Sequence, residues 1–285
     1  QKVAQFLWVG GFATQTRRNR GAAFRHHETG RDAPMKLSRS IAAIVAGFAF
    51  AATSQAKILP KPVKNDTVQS YILLDRTGSM SDIWDEALTS VNAYADSFAA
   101  DAPGAEIAGG DIKTAVTLAV FDHQDGMQFD VLRDKVDPAK WTDVTDDEAN
   151  PRGMTPLYDA IGRIVNRAEA DAPEKAVIVI MTDGLENSSS ELTKQGAKAA
   201  LDRARAKGWE VVFLGAEFAS FSDAEAVGMA ASKTMAVGQG QMKESMDNLA
   251  QKARAYGKGA EAEIEFNAAD RAQADEAGVK ERKGQ

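Results

Sequence analysis

The residues whose types and spacing best suit chemistry are Asp75, Thr77 and Ser79, in the segment Asp75-Arg76-Thr77-Gly78-Ser79-Met80-Ser81. The apolar run Tyr71-Ile72-Leu73-Leu74 precedes this segment and a helical pattern follows it, so the segment reads as a strand-to-helix turn. One carboxylate and two hydroxyls at alternate positions line such a turn with oxygen, the donor that hard divalent cations select. Two later segments offer the same chemistry in the same setting. Gly153-Met154-Thr155-Pro156-Leu157-Tyr158-Asp159-Ala160 supplies the Thr155 hydroxyl, and Met181-Thr182-Asp183-Gly184-Leu185-Glu186-Asn187 supplies the Asp183 carboxylate. With two carboxylates and three neutral hydroxyls, a divalent ion is not over-neutralised and retains a position for a water or an incoming anion.

Elements that would position these groups are legible as alternating patterns. Tyr71–Leu74, Val116–Phe121, Ala176–Met181 and Val211–Leu214 are short apolar runs suited to strands covered on both faces. Between them, Trp84, Ala87, Leu88, Val91, Tyr94, Ala95 and Phe98 follow a helical period, as do Ile161, Ile164, Val165 and Ala168. Met127–Arg133 partly alternates after the turn-rich Asp122–Gly126 and predicts an antiparallel edge strand. Glu191–Lys207 predicts a helix ended by Gly208, Ser232–Val237 a last short strand, and Gln241–Tyr256 a closing helix with Met242, Met246 and Leu249 inward. The expected fold is α/β: a doubly wound, mostly parallel central sheet, helices on both faces, one antiparallel edge strand. In such sheets ligands bind beyond the carboxyl ends of the strands, where all three oxygen-bearing turns fall.

Composition narrows the function classes. The 285 residues include no cysteine, which excludes thiolate zinc sites, disulfides and cysteine nucleophiles. Residues 35–56 read as a secretory signal: the basic start Met35-Lys36-Leu37-Ser38-Arg39, the apolar stretch Ile41–Ala52 and the cleavage pattern Ser54-Gln55-Ala56. Residues 1–34, ahead of that signal, are expected to lie outside the native protein, and cleavage would expose Lys57. The first 56 residues hold eight of the 34 Lys and Arg and two of the 41 Asp and Glu, leaving 26 against 39, or net −13, from Lys57 onward. That balance argues against nucleic acid as the partner and, with the short signal-like segment, against a stable membrane span. His123 is the only histidine after Lys57, which excludes multi-histidine zinc sites and a serine-histidine triad using any other histidine. Residues 57–67 have linker character, 68–256 form the expected domain, and 257–285, rich in Ala, Glu, Lys and Gly, are expected to be a disordered tail.

Over Val68–Tyr256 the sequence resembles the von Willebrand factor A domain, in particular its stand-alone bacterial members. That family's metal-ion-dependent adhesion site consists of an Asp-x-Ser-x-Ser turn, a distant Thr and a distant Asp. The resemblance assigns these roles to Asp75, Thr77, Ser79, Thr155 and Asp183. Thr77 departs from the commoner serine but keeps the hydroxyl, and Met154 stands where a second glycine is more usual. The resemblance implies a non-catalytic, periplasmic or secreted module. It would hold Mg²⁺, or else Mn²⁺ or Ca²⁺, and bind a protein or peptide that offers an acidic side chain. Two alternatives stay open: a metal-free scaffold domain, and a phosphoaspartyl enzyme using Asp75, since Asp75-Arg76-Thr77-Gly78-Ser79 also resembles the phosphorylated turn of cation-pumping ATPases. The second needs a lysine at a strand's carboxyl end, and Lys175 precedes its strand.

Other residues carry plainer expectations. Ser81 or Asp82 caps the following helix. Asp159 and Glu186 either orient the site or face solvent, and His123 is an exposed turn residue. Asp143, Asp146, Asp147 and Glu148 form a solvated acidic loop, while Met229, Met235, Met242 and Met246 fill core.

Overall fold

A computed structural model describes residues 67–99, 112–216 and 222–283. The expected signal, the residues before it and nearly all of the linker lie outside these. Six strands form one sheet: β1 (Thr67–Asp75), β2 (Lys113–His123), β3 (Met127–Val136), β4 (Lys175–Thr182), β5 (Glu210–Ala216) and β6 (Thr234–Val237). Their order is β3-β2-β1-β4-β5-β6, with every pair parallel except the β2–β3 hairpin. The apolar runs are strands because their side chains are covered on both faces, as Leu73 and Leu74 on β1 and Ile180 and Met181 on β4 illustrate by being buried in succession.

One face of the sheet packs against α1 (Trp84–Phe98) and α5 (Met242–Lys258), where Val91, Tyr94, Phe98, Met246 and Leu249 meet Ile72, Leu74 and Val179. The other packs against α2 (Leu157–Asp171) and α3 (Lys194–Ala206), where Ile161, Ile164 and Leu201 meet Tyr71, Leu73, Ile178 and Phe213. A short α4 (Ser222–Ala226) follows β5. Strand β1 pairs with β2 on one side and β4 on the other, so the chain reverses direction across the sheet at β1. The crevice beyond the ends of β1 and β4 is therefore the topological switch point at which α/β sheets bind ligands.

Two expectations about the elements are corrected by the structure. The segment expected to be a disordered tail carries α6 (Ala268–Gln273) and α7 (Glu276–Arg282), and it buries Ile264, Phe266, Ala274 and Val279. It is tied down by hydrogen bonds from Ile264 N to Glu210 Oε2, Phe266 N to Ser232 O and Gly238 N to Ala274 O. The apolar residues are too widely spaced to show a period; the overlooked signal was Asn267, whose side chain forms a capping box with Asp270. Nor does Ser81 or Asp82 cap α1 through its side chain. Residues Gly78–Ile83 form a 3₁₀ turn instead, and Ser81 Oγ donates to Gly78 O. The four methionines named above are buried.

Candidate metal centre

The site is built where β1 and β4 run out. Asp75 is the last residue of β1 and has no exposed surface. Its Oδ1 accepts from Thr77 N at 2.7 Å and its Oδ2 from Thr182 Oγ1 at 2.5 Å, which fixes the carboxylate across the strand pair. Beyond it the hydroxyls form a chain. Thr155 Oγ1 lies 3.2 Å from Thr77 Oγ1, Thr77 Oγ1 lies 3.2 Å from Ser79 Oγ, and Ser79 Oγ donates to Asp183 Oδ1 at 2.7 Å. All five residues singled out from the sequence thus meet in one place, although up to 108 positions separate them. Asp75, Thr77 and Thr155 are buried, Asp183 is half-buried and Ser79 is exposed, so the oxygen-lined pocket opens on the Ser79 and Asp183 side.

Backbone contacts hold the three turns in register. Arg76 N donates to Phe121 O, Gly78 N to Gly153 O and Arg152 N to Arg76 O. Met154 and His123 exchange two backbone hydrogen bonds, so His123 is a half-buried anchor for the Thr155 turn rather than an exposed turn residue. Gly153 is required there. Its φ is +69°, and a Cβ would stand 2.5 Å from His123 O. Gly184 permits a close approach of another kind, since a Cβ on it would stand 3.3 Å from Thr155 Oγ1 and 3.4 Å from Ser79 Oγ.

The Asp183 loop and the start of α2 cap one another. Pro156, ahead of the helix, offers no capping side chain, and the free Tyr158 N–H is taken by Glu186 Oε2 and Ser189 Oγ. In return Asp159, buried in the first helical turn, accepts from the backbone N–H groups of Ser190, Glu191 and Leu192. Thr155 and Asn187 close the clamp reciprocally, through Thr155 N to Asn187 Oδ1 at 2.8 Å and Asn187 N to Thr155 O at 3.0 Å. Asp159 and Glu186 are thus positioning residues that fix the Thr155 turn against the Asp183 loop. The acidic loop is exposed as expected, except that Glu148 pairs with Arg133.

Electrostatics favour a cation here. Burial pushes the Asp75 carboxyl up to about 7, against the downward pull of its hydrogen bonds from Thr182 and Thr77, and the nearby Asp183 adds to the rise. Asp183 is likewise raised, chiefly by burial. Among the described residues neither carboxylate forms an ion pair. Arg76, next in sequence to Asp75, is turned away to Asp122 and Asp130, both at 2.5 Å. A buried carboxylate without a cationic partner is costly, and a hard divalent ion supplies the missing charge among donors that are all oxygen. The residues present therefore fit such an ion: Asp75, Thr77, Ser79, Thr155 and Asp183 would hold it.

Sequence reading missed three contributors. Thr182, next to Asp183, and Asn187 belong to the Met181–Asn187 segment, but nothing in the sequence separates their roles from those of their neighbours. The Arg76–Asp122–Asp130 network had no signal, because its partners meet only through the sheet.

No protein-family model matches the sequence, and no curated protein does. Among solved structures, the chain is similar to the pilus adhesin SpaC from Lactobacillus rhamnosus GG in its open conformation. The TM-score is 0.52 at 12% identity, with 66% of this chain and 30% of that one covered. The fold is von Willebrand factor A-like. Other likenesses are to the vWF domain of the type V pili tip protein Mfa5 from Porphyromonas gingivalis (TM-score 0.47, 13% identity, 65% of this chain and 94% of that one). A further one is to proximal thread matrix protein 1 from the mussel byssus with a zinc-occupied MIDAS motif (0.45, 13%, 66% and 48%). The von Willebrand factor A-like domain spans less than half the length of the first solved structures it matches. Among the described residues, no helix is long and apolar enough to cross a membrane.

Proposed function

We propose that this protein binds a protein or peptide ligand through a divalent cation held by Asp75, Thr77, Ser79, Thr155 and Asp183, without catalytic turnover. The observation that carries this reading is the convergence, at the switch point, of five oxygen side chains from three distant turns, one of them the fully buried Asp75 carboxylate, which has no cationic partner among the described residues. Mg²⁺ is the ion of choice because the donors are few, hard and compactly arranged, which leaves positions for water or a ligand; Mn²⁺ and Ca²⁺ share the preference for oxygen. The ligand group that fits the open position is a carboxylate, since two protein carboxylates balance a divalent ion without over-neutralising it and the other protein donors are neutral hydroxyls. The signal-like segment at residues 35–56 supports a periplasmic or secreted setting.

Phosphoryl transfer through Asp75 fits less well. Both oxygens of Asp75 are engaged and it has no exposed surface. Lys175 opens β4 level with Val68, seven residues before Asp75 and so about 23 Å away along the strand, and it donates to the carbonyls of Tyr256 and Gly257. The test is recovery of binding partners by the immobilised full chain in Mg²⁺, in chelator and with Asp75→Ala. Recovery in Mg²⁺ with wild type alone is expected, and equal recovery in all three arms would sink the proposal.

A further inference from the structure

Among the described residues, the exposed large apolar side chains are Met154, 50% exposed, and Leu185, 47% exposed. Both stand on the rim of the metal centre. Met154 directly precedes Thr155, and Leu185 follows Gly184, on which a Cβ would stand 3.3 Å from Thr155 Oγ1 and 3.4 Å from Ser79 Oγ. Both also stand on pinned backbone. Met154 is fixed by its two hydrogen bonds to His123, at 2.9 and 3.2 Å. Leu185 lies between Gly184, whose N–H donates to Thr182 Oγ1, and Glu186, whose carboxylate accepts from Tyr158, Ser188 and Ser189. On fixed backbone, covering these side chains costs their rotamer freedom but no further ordering of the chain, so part of their burial is returned as affinity.

Charge around the same rim selects the other half of the ligand. The Arg152 side chain is 44% exposed beside Met154, and its Nε reaches Asp122 only at 3.3 Å. Lys283, at the end of α7, lies near enough to act electrostatically on Asp183. Both repel a cationic ligand and attract an acidic one in a chain that is otherwise net negative.

We propose that the partner is a peptide segment in which the metal-seeking acidic residue is directly flanked by bulky aliphatic or aromatic side chains, which Met154 and Leu185 receive. This rests on the cation-dependent reading above and specifies its ligand. The experiment is selection of phage-displayed peptides with a fixed central Asp and random flanks on the full chain in Mg²⁺, with release by EDTA. The expected pool is enriched in Leu, Ile, Met or Phe within two positions of the Asp. A selected peptide should bind about tenfold more tightly than its Ser-flanked counterpart, a difference of about 1.4 kcal/mol. That gap should close on Met154→Ser/Leu185→Ser, whose stabilisation by Mg²⁺ should equal wild type because neither side chain is in the core. An EDTA-released pool without apolar enrichment, or a gap that persists on the double variant, overturns this inference and leaves cation-dependent binding standing. The absence of any EDTA-released pool overturns both.

Discussion

Replacing Asp75 by Asn should stabilise the metal-free protein at neutral pH while abolishing its response to cations. Asn preserves the local bonding, with its oxygen accepting from Thr77 N and its amide donating to Thr182 Oγ1, which already accepts from Gly184 N. What it removes is a buried charge. The Asp75 carboxyl is pushed from 3.8 up to about 7 in the fold. A raised folded pKa contributes stability that is fully present below the unfolded value and is lost as pH rises towards the folded one. The loss therefore develops between about pH 4 and pH 7 and levels off near 4 kcal/mol, at 1.36 kcal/mol per unit. In EDTA, wild type should gain roughly 2 kcal/mol relative to Asp75→Asn between pH 7 and pH 5. For a domain of this size that is a relative Tm shift of roughly 4–8 °C. Mg²⁺ at a hundredfold excess over its Kd should raise wild-type stability by about 2.7 kcal/mol and leave Asp75→Asn unchanged. Thermal melts of both proteins at pH 5, 6, 7 and 8, with EDTA and with Mg²⁺, measure all of this. An Asn variant no more stable than wild type in EDTA at pH 7.5, or one that keeps the Mg²⁺-dependent rise, would refute the reasoning.

Three other perturbations test parts of the architecture. Thr155→Val keeps the shape of a buried residue whose hydroxyl, among the described residues, bonds only Thr77 Oγ1, so Mg²⁺ affinity by calorimetric titration should fall at least about tenfold with the Tm in EDTA little changed. Gly153→Ala places a Cβ against His123 O at positive φ and should cost about 1–3 kcal/mol in denaturant melts, with weaker Mg²⁺ binding as the Thr155 turn shifts. Asp159→Asn leaves some of the Ser190, Glu191 and Leu192 N–H groups without an acceptor, which should destabilise by about 1–3 kcal/mol and speed hydrogen exchange at those amides.

The grouping of the five candidate residues was legible in the sequence because each of the three turns carries its oxygen groups next to a readable element. Asp75, Thr77 and Ser79 lie within one turn, Asp183 follows the apolar run Ala176–Met181, and Thr155 stands just ahead of the helix that leads into that strand. The strands were readable because burial on both faces leaves unbroken apolar runs such as Ala176–Met181. What the sequence hid was reciprocal or long-range. Asp159 and Glu186 looked equally like solvated residues because their partners are backbone N–H groups, which have no sequence signature. Arg76 reaches Asp122 and Asp130 across neighbouring strands, at separations that no local pattern encodes. The carboxyl-terminal helices α6 and α7 were missed because each is too short to display a period, and they depend on the β6 edge for burial, as the bond from Ala236 N to Glu276 Oε1 shows. Met154 and Leu185, turn residues with no distinguishing sequence pattern, are both exposed next to the candidate site's turns.

The central claim, that five side chains hold one divalent cation, is tested most directly by titrating Mn²⁺ into the isotopically labelled full chain and mapping paramagnetic broadening of its amide signals. The account predicts saturable broadening at one ion per chain, centred on residues 75–79, 154–155 and 183–185 and reversed by excess Mg²⁺. Broadening centred elsewhere, for instance on the exposed Glu244 and its neighbour Asp247 along α5, or no saturable broadening at all, would contradict it.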